Sequence, residues 1–286
     1  MAENPLKKVF LLGHPVGHSK SPLMQNNAFK KCGINAVYET MDVLPADLPR
    51  AFEALRSPGV LGANITIPHK TAAAQLVDNL SEKSRIYGAV NTIINRDGKL
   101  EGTTTDPEGI IRPVIESGII PEKSKIMIIG TGGSARTAAY SLALESNASI
   151  TVAGRSPEKA EPFVSKINSL TKGPAVCLVQ LYSESFYNGL KESDLIINAT
   201  PIGMYPDTGF SVLDKENIPE GKTVFDFVYN PRKTELIKGA LKKGCRIIEG
   251  LSMLIYQGAA SFKLWTGKEC PADCFREVFG EFNKEA

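Results

Sequence analysis

Lys70 is the residue with the clearest potential for acid–base chemistry, because it follows the strand-like segment NITIPH. Successive side chains of a strand point to opposite faces, so Ile65 and Ile67 are predicted to share a buried face. Asn64 and Thr66 then share the other face, which is either a solvated edge or the wall of a cleft. Lys70 is in the first turn of the helix predicted for HKTAAAQLVDNL, where the helix dipole disfavours a cation.

Asp106, in the segment GTTTDPEG, is the predicted partner of Lys70. A carboxylate beside the ammonium would fix its position, and acid–base assistance of this kind contributes about 10²- to 10⁴-fold in rate. The three histidines are weaker candidates, because no carboxylate that would orient any of them is evident in the sequence. Two simpler interpretations stay open at this level: Asp106 caps the helix that follows it, and Lys70 is a solvated helix residue.

The segment KIMIIGTGGSARTAAYSLAL combines a buried strand, a glycine-rich turn and a helix. Glycines allow a tight turn and a close approach to a pyrophosphate, which the helix amino terminus binds through free N–H groups and its dipole. The pattern G-x-G-G-x-A departs from G-x-G-x-x-G, but its strand and helix context favours a dinucleotide site over a merely tight turn. The predicted cofactor-binding residues of this turn are Gly130, Thr131, Gly132, Gly133, Ser134 and Ala135.

The choice of dinucleotide is predicted from the end of the next strand, in ASITVAGRS. An NAD site places a carboxylate there for the ribose 2′-hydroxyl, whereas an NADP site places a cation for the 2′-phosphate. No acid occupies residues 153–156, and Arg155 offers a fork of donors suited to phosphate, with Lys159 one helical turn away. NADP is therefore the predicted cofactor, contacted by Gly154, Arg155, Ser156 and Lys159. The alternatives are a surface role for Arg155 and a helix-capping role for Ser156.

Composition favours small-molecule partners over nucleic acid or a membrane. The 286 residues carry a net charge of only +2, so the sequence indicates no concentrated basic patch. No apolar run is long enough to span a bilayer, and the first residues, MAENPLKK, lack an apolar signal core, which predicts a cytoplasmic protein. Five scattered cysteines without a C-x-x-C pair predict neither disulfides nor a metal site. His14 and His18, separated by proline and glycine, are predicted loop residues rather than metal ligands.

Strands and helices are predicted to alternate along most of the chain, which indicates an α/β architecture with helices covering the sheets. Asp97 and Gly98, between two strand-like runs, predict a β-hairpin. GIIPEKS is a predicted linker, after which the alternation restarts with the glycine-turn strand. The prediction is two α/β domains with the active site in the cleft between them. Residues 1–106, joined by C-terminal helices over 247–286, form the substrate domain, and residues 107–246 form a Rossmann-type, doubly wound dinucleotide-binding domain.

Eight segments are distributed along the chain: HSKSPLMQNNAF, NITIPHK, GAVNTI, TDPEG, IIGTGGSAR, INATPIGM, FDFVYNP and QGAASFKLWTG. In their order and spacing the chain resembles the shikimate dehydrogenase family over essentially its whole length. The resemblance implies an oxidoreductase that reversibly reduces 3-dehydroshikimate to shikimate with NADPH, in the biosynthesis of chorismate and aromatic amino acids. It also implies that Lys70 is the acid–base group at the ring and that Asp106 is its partner.

The same resemblance implies roles for further residues. Ser19 and Ser21 would bind the substrate carboxylate, and Ser21, which precedes Pro22, is also predicted to cap the helix that runs to Lys31. The resemblance implies substrate contacts by Thr66, Asn91, Tyr229 and Gln257, and cofactor contacts by Phe227 and Gly250. The polar face of NITIPHK is then the wall of a cleft, which Thr66 faces.

The chain departs from the family's usual residues at a few positions. Asparagine is usual where this chain has Thr104 and Gly154, glycine where it has Ser252, and alanine where it has Gly258. The missing amide at Gly154, beside the adenine ribose, weakens the NADP preference without reversing it. Ser252 and Gly258 flank the nicotinamide side and would alter its fit. None of these departures touches the lysine and the aspartate.

Three other functions are compatible with parts of the sequence. A quinate/shikimate dehydrogenase that prefers NAD usually carries an acid after the arginine of the second strand, where this chain offers only Glu158. A non-catalytic sensor on the same fold would have little reason to keep Lys70 and Asp106. A tetrahydrofolate-linked dehydrogenase shares the architecture, but the HSKSP loop suits a small acid. The sequence leaves both a monomer and a homodimer open.

Overall fold

Strands and helices alternate through residues 5–280, the part of the chain that this computed structural model describes. They form two α/β units, one made of residues 5–106 and 255–280 and the other of residues 107–254. The second unit extends past residue 246 because the strand at that position pairs within the second sheet. The division into folding domains stays a prediction.

The first unit contains a mixed sheet of six strands in the order β2-β1-β3-β5-β6-β4. The strands are β1 (Lys7–Gly13), β2 (Ala36–Asp42), β3 (Val60–Ile65), β4 (Asn79–Leu80), β5 (Thr92–Arg96) and β6 (Lys99–Thr103). β1 is parallel to β2 and β3, whereas β5 is antiparallel to both β3 and β6. Asp97 and Gly98 adopt the positive φ angles, 52° and 89°, that a two-residue hairpin turn requires. The predicted hairpin is confirmed.

The second unit contains a fully parallel sheet of six strands in the order β12-β11-β10-β7-β8-β9. The strands are β7 (Lys125–Ile129), β8 (Ser149–Gly154), β9 (Cys177–Gln180), β10 (Leu195–Asn198), β11 (Thr223–Asp226) and β12 (Arg246–Glu249). This is the doubly wound order, so the predicted Rossmann-type sheet is confirmed. Such sheets bind ligands outside the carboxyl ends of the strands where the order reverses, which here is between β7 and β10.

Helices connect the strands of both sheets. They are α1 (Ser21–Lys31), α2 (Leu48–Leu55), α3 (Lys70–Ala73), α4 (Glu82–Tyr87), α5 (Asp106–Glu116), α6 (Gly133–Tyr140), α7 (Glu161–Leu170), α8 (Glu184–Glu192), α9 (Glu235–Lys242), α10 (Gly250–Thr266) and α11 (Ala272–Arg276). Of the C-terminal helices predicted over 247–286, the last is present as α11 and a short 3₁₀ turn at Glu277–Phe279, and residues 281–286 lie outside the described residues. Among residues 5–280, every helix is too short or too polar to cross a membrane.

Each sheet buries its own apolar core. Leu12, Phe52 and Ile93 are members of the core of the first unit, and Phe186 and Val224 are members of the core of the second. These side chains are at most 1% exposed. Burial of one such side chain contributes about 1.5–3 kcal/mol, so the two cores hold the strand ends in place.

The strand that leads to Lys70 is shorter than predicted. β3 ends at Ile65, and Ile67 is 75% exposed, so the prediction that Ile67 shares the buried face is wrong. The physical reason is a turn: the His69 N–H donates to the Thr66 carbonyl at 2.9 Å, and the chain leaves the sheet before Ile67.

The helix predicted for HKTAAAQLVDNL is also mostly absent, because α3 ends at Ala73 and Asn79–Leu80 pair with β6 instead. Asp78 accepts hydrogen bonds from Arg56 at 2.5 Å and from the Leu100 N–H at 2.7 Å. The Arg56 guanidinium and this N–H lower the pKa of Asp78. Pairing with the sheet outweighs the helix propensity of the segment.

Candidate functional site

The short helix α3 presents Lys70 to Asp106, the first residue of α5. The Lys70 Nζ donates to Asp106 Oδ2 at 2.6 Å. The Asp106 side chain is 9% exposed and the Lys70 side chain 32%, so the ion pair is largely shielded but open on the ammonium side. An ion pair of this kind, with a reachable ammonium, can hold and transfer a proton.

The second oxygen of Asp106 is bound by an amide. Asn91 Nδ2 donates to Asp106 Oδ1 at 2.7 Å, and it also lies 3.3 Å from Gln257 Oε1. Asn91 is 2% exposed. The structure thus gathers the predicted residues Lys70, Asn91, Asp106 and Gln257 into one cluster within the first unit.

The predicted carboxylate ligands lie at the start of α1. The Ser21 N–H donates to Ser19 Oγ at 3.2 Å, and the residue before α1, Lys20, makes no side-chain cap. The prediction that Ser21 caps the helix is therefore wrong, because α1 already includes Ser21 and Lys20 occupies the cap position. Ser19 is half-buried and Ser21 is buried.

Asn64, on the polar face of NITIPHK, points into the protein interior rather than toward solvent. Asn64 is 6% exposed and hydrogen-bonds the Tyr38 hydroxyl at 2.8 Å, Thr92 Oγ1 at 3.1 Å and Ser261 Oγ at 3.1 Å. The solvated-edge interpretation is wrong for this residue. Thr66, one turn before Lys70, is half-buried with its methyl group over the Gly13 backbone.

Tyr229 belongs to the second unit, unlike the other residues predicted to bind substrate. It follows β11 and is 41% exposed. The next residue, Asn230, accepts a hydrogen bond at its carbonyl from the Tyr205 N–H at 3.0 Å, which ties this loop to the loop after β10.

His14 has a carboxylate partner that the sequence does not reveal. His14 Nδ1 and Asp42 Oδ1 are 2.6 Å apart, and both side chains are exposed. The pair forms because His14 follows β1 and Asp42 ends the parallel neighbour β2. His14 and His18 lie in a loop, as predicted. Within residues 5–280, no group of three or more histidine, cysteine or carboxylate side chains could hold a metal ion.

The glycine turn between β7 and α6 has the shape that a dinucleotide requires. Gly130 has a φ of 123°, and a Cβ there would lie 3.0 Å from the Ala199 carbonyl oxygen, so only glycine fits. A Cβ on Gly132 or Gly133 would meet no atom within 4 Å. The start of α6 is therefore open for a phosphate group to approach its free N–H groups.

A cavity of about 320 Å³ lies at the carboxyl ends of β7, β8 and β10 in the second unit. It contains many of the predicted cofactor residues: Gly130, Thr131, Gly132, Gly154, Arg155, Ser156 and Lys159. Gly133, Ser134 and Ala135 begin α6 beside it, and Ala135 is fully buried. The position matches the point where the strand order reverses.

Arg155 and Lys159 supply the positive charge of this cavity. Both side chains are exposed, and neither forms an ion pair with a carboxylate in the described part of the chain. The Arg155 carbonyl accepts a hydrogen bond from Gln180 Nε2 at 2.8 Å, which fixes the backbone while the guanidinium stays available. Ser156 precedes a 3₁₀ turn, but its side chain makes no capping hydrogen bond. The alternative that Ser156 serves as a helix cap is therefore wrong.

The cavity is also lined by residues that were not among the predicted cofactor contacts, although the last four lie in the quoted segment INATPIGM: Ala153, Leu181, Tyr182, Ala199, Thr200, Pro201 and Ile202. They follow β9 and β10 or end β8. The carboxyl ends of neighbouring parallel strands meet at one edge of the sheet. The position of these residues directly after predicted strands was therefore the sequence feature that could have identified them as cavity residues.

The departure at Gly154 has a structural counterpart. A Cβ on Gly154 would collide with Thr131 Cγ2, so the Thr131 side chain occupies the space that a side chain at 154 would need. Gly258 is similar, since a Cβ there would collide with Met24 Cε. Thr104 is buried, and its Oγ1 lies 3.4 Å from the Asp106 N–H.

Replacing Gly154 by alanine is expected to destabilise the protein by about 1–3 kcal/mol, because the new methyl group overpacks against Thr131. The double variant Thr131→Ala, Gly154→Ala is expected to recover most of that loss. Urea unfolding of both variants measures the effect, and Gly209→Ala, where a Cβ meets nothing within 4 Å, is the matched control. Equal losses in the single and double variants would contradict the explanation.

Phe227 and Gly250 lie together near the end of β11. A Cβ on Gly250 would lie 2.7 Å from the carbonyl oxygens of both Asp226 and Phe227, so the start of α10 requires glycine for this close approach. Asp226 is fully buried and accepts hydrogen bonds from Asn198 at 2.9 Å and from Thr234 at 2.6 Å. Burial raises the pKa of Asp226, and these donors partly offset the rise.

Three segments of the chain match described families. Residues 11–93 match "Shikimate dehydrogenase substrate binding domain", residues 118–221 match "Shikimate / quinate 5-dehydrogenase", and residues 250–278 match "Shikimate 5'-dehydrogenase C-terminal domain". These segments contain the cluster around Lys70 except Asp106, and they contain the cavity of the second unit.

Individual proteins are similar over nearly the whole chain. A shikimate dehydrogenase (NADP(+)) of Moorella thermoacetica is 41% identical over 273 residues, covering 96% of this chain and 92% of the relative. A solved shikimate dehydrogenase in complex with NADP⁺ is 39% identical, with a TM-score of 0.88 and coverage of 96% and 94%. The shikimate 5-dehydrogenase of Listeria monocytogenes, solved with shikimate and NAD, is 34% identical, with a TM-score of 0.89 and coverage of 96% for both chains.

Proposed function

The chain belongs to the shikimate dehydrogenase family, and from this premise we propose that Lys70 and Asp106 are the acid–base pair with which it reversibly reduces 3-dehydroshikimate to shikimate. The enzyme is an NADP-dependent oxidoreductase of chorismate and aromatic amino acid biosynthesis. The observation that carries the proposed pair is the 2.6 Å contact between Lys70 Nζ and a carboxylate that is itself 9% exposed.

In the direction of reduction, Lys70 delivers a proton to the substrate oxygen as the carbonyl becomes a hydroxyl. Asp106 holds the ammonium in place and keeps its charge balanced, and in the reverse direction the lysine amine accepts the proton. For this transfer Lys70 Nζ must lie about 2.6–3.2 Å from the substrate oxygen, or one water must bridge the two atoms. The 32% exposure of the Lys70 side chain leaves it reachable from solvent.

The carboxylate of the substrate is proposed to bind at Ser19 and Ser21. Thr66, Gln257 and Asn91 are proposed to contact the ring hydroxyls or the reacting end, and Tyr229 to contribute from the second unit. Hydroxyl and amide donors suit a small acid with several hydroxyl groups, because each donor left unpaired in a desolvated site costs free energy.

The donor set of the second unit fits NADP. The open start of α6 suits a pyrophosphate, and the unpaired cations of Arg155 and Lys159 suit a 2′-phosphate. When bound, NADP(H) supplies or accepts the hydride at the ring carbon. The chain's own residues fix the phosphates, and Phe227 and Gly250 are proposed to contact the nicotinamide half.

Rates of oxidation of shikimate and of quinate, each with NADP⁺ and with NAD⁺, test this function. The combination of shikimate and NADP⁺ is expected to be fastest. A faster rate with quinate and NAD⁺ would favour the quinate/shikimate alternative, and no activity in all four reactions would favour the sensor.

Replacing Arg155 by alanine is expected to raise the Michaelis constant for NADPH by about 10- to 100-fold, because a charged hydrogen bond to phosphate contributes about 1.5–3 kcal/mol. The constant for NADH should change little, since NADH has no 2′-phosphate. Steady-state kinetics with both nucleotides measures the difference, with Arg96→Ala as an exposed control in the first unit. Equal changes for both nucleotides would refute the phosphate role.

As a biosynthetic enzyme the protein is proposed to act in the cytoplasm on small molecules, without nucleic-acid or membrane partners. A homodimer is the proposed alternative to the 30.9 kDa monomer. Light scattering during gel filtration separates the two states by mass.

A further inference from the structure

Asp106 lies at the end of a buried series of hydrogen bonds within the first unit. The members are Tyr38, Asn64, Thr92, Asn91 and Asp106, and all are buried. Tyr38 is in β2, Asn64 in β3 and Thr92 in β5, so the series crosses the sheet toward the acid–base pair.

The orientation of the Asn91 amide is determined by groups that can only donate or only accept. The Thr105 backbone N–H donates to Asn91 Oδ1 at 2.8 Å, so the oxygen must face Thr105. Nδ2 then faces Asp106 Oδ1, at 2.7 Å, which as a carboxylate oxygen accepts. Exchanging the two amide atoms would place an oxygen against the carboxylate.

The orientation of Asn64 is determined in the same way. Its Nδ2 lies 3.0 Å from the Asn91 backbone carbonyl, which can only accept. The same nitrogen donates to Thr92 Oγ1 at 3.1 Å. Asn64 Oδ1 is therefore the acceptor for the Tyr38 hydroxyl at 2.8 Å. Burial raises the pKa of Tyr38 far above its ordinary value, so the phenol keeps the proton that it donates.

The Thr92 hydroxyl joins the two amides. It accepts from Asn64 Nδ2 and donates to Asn91 Oδ1 at 2.8 Å. Asn91 Oδ1 can only accept, so the one proton of the Thr92 hydroxyl lies on that bond, and Ser261 Oγ, 2.8 Å away, can donate to Thr92 or to the Gln257 carbonyl. Every hydrogen bond from Tyr38 to Asp106 therefore points the same way, toward the carboxylate.

From these directions we infer that Asn64 and Thr92 are positioning residues for the acid–base pair. The Thr92 hydroxyl at the end of the series and the Thr105 N–H both donate to Asn91 Oδ1, so together they hold the amide nitrogen toward Asp106 Oδ1, and this leaves Oδ2 to Lys70. Amide groups do not pass protons along such a series at neutral pH, so its role is orientation rather than proton transfer. The inference rests on the proposed function of Lys70 and Asp106.

The far end of the series reaches the proposed carboxylate ligands, because the Ser21 side chain interacts with the Tyr38 hydroxyl and lowers its pKa, against the larger rise that burial causes. Eight residues from Ser19 to Lys70 are thus linked, with the Ser21 backbone N–H making the first hydrogen bond: Ser19, Ser21, Tyr38, Asn64, Thr92, Asn91, Asp106 and Lys70.

Thr92→Val tests the inference, since valine keeps the shape and removes the hydroxyl. We expect kcat for shikimate oxidation with NADP⁺ to fall by about 10- to 100-fold, the scale of a misplaced catalytic group. The Michaelis constant for shikimate should change much less, and Thr92→Ser should restore kcat. The pH profile of kcat should shift in Thr92→Val, because Thr92 no longer helps to hold the Asn91 amide that donates to Asp106 Oδ1.

Thr103→Val is the matched control. Thr103 faces Thr92 across the β5–β6 pair, and its hydroxyl accepts from Ser81 at 3.0 Å, outside the series. We expect its kcat and pH profile to match those of the unmodified protein. Equal losses in Thr92→Val and Thr103→Val, or full activity in Thr92→Val, would overturn the inference.

Nuclear magnetic resonance of protein labelled with ¹⁵N-asparagine gives a readout independent of turnover. The side-chain amide protons of Asn91 should exchange slowly with solvent in the unmodified protein and faster in Thr92→Val. Unchanged exchange would overturn the inference. If the unmodified protein had no activity but its Asn91 amide protons exchanged slowly, the proposed function would be contradicted, while the positioning of Asn91 would be supported.

Tyr38→Phe tests the same series from its far end and keeps the ring in its buried place. The loss of one donor to Asn64 should raise Asn91 exchange and lower kcat, both less than Thr92→Val does. If Thr92→Val does not fold, this variant carries the test, and an Asn91 amide unaffected by it would count against the one-way series.

Discussion

Lys70→Ala is expected to lower kcat for shikimate oxidation by about 10²- to 10⁴-fold, which is the contribution of a positioned acid–base group. Shikimate should still bind, because the proposed ligands of its carboxylate, Ser19 and Ser21, lie at the start of another helix. The expected pattern is a large loss in kcat with a small change in the dissociation constant. Steady-state kinetics and isothermal titration with shikimate measure the two quantities.

Lys99→Ala is the control for this change. Lys99 is an exposed lysine on the β5–β6 hairpin of the same unit. Its loss should leave kcat unchanged. If both Lys70→Ala and Lys99→Ala kept most of the kcat of the unmodified protein, the proton would have to come from another group.

Asp106→Asn is expected to lower kcat by about 10²- to 10⁴-fold, the range of acid–base effects. Asparagine keeps the shape of the side chain but removes the negative charge beside Lys70. Asparagine also has only one acceptor oxygen, so it can accept from Asn91 or from Lys70 but not from both, as the carboxylate does. Loss of one of the two acceptors should misplace the lysine as well as leave its charge unbalanced. The measurement is kcat as a function of pH.

The double variant Lys70→Ala, Asp106→Asn separates a pair from two independent residues. Residues that act as a unit show strongly non-additive losses, so the double variant should be about as slow as Lys70→Ala alone. Asp97→Asn, in the exposed hairpin turn where asparagine also tolerates a positive φ, is the control. Losses that multiply would mean that the two residues act separately.

The parts of the fold that depend on neighbouring residues were predictable from the sequence. The glycine turn and the Asp97-Gly98 hairpin follow from backbone geometry that few residues adopt, and both occur where predicted. The doubly wound sheet follows from the alternation of strands and helices. The contact of Lys70 with Asp106, 36 residues apart, was predictable only with the resemblance, since spacing alone left both residues with simpler roles.

The parts that depend on distant contacts were not predictable. Ile67 is exposed because a turn to α3 begins at Thr66, and the segment after Ala73 is not helical because β6 recruits it. The match of Gly154 with the Thr131 methyl group appears only when two loops of the second unit are brought together. Local propensity contains no information about such contacts.

The role of Asn64 shows the same limit within the candidate site. The alternation of NITIPHK indicates a polar face, but the residues that bind Asn64 come from β2, β5 and α10. The sequence of a single strand therefore shows only that Asn64 shares a face with other polar residues. Its contacts with residues of other elements, which place it in the series toward Asn91, become visible only in the assembled sheet.

A crystal structure with shikimate tests the central claim most directly, by the distance from the reacting hydroxyl oxygen to Lys70 Nζ. The account predicts about 2.6–3.2 Å, or one bridging water, with Asp106 still bound to the lysine and the shikimate carboxylate at Ser19 and Ser21. Shikimate bound elsewhere, with both Lys70 and Asp106 in contact only with solvent and each other, would contradict it.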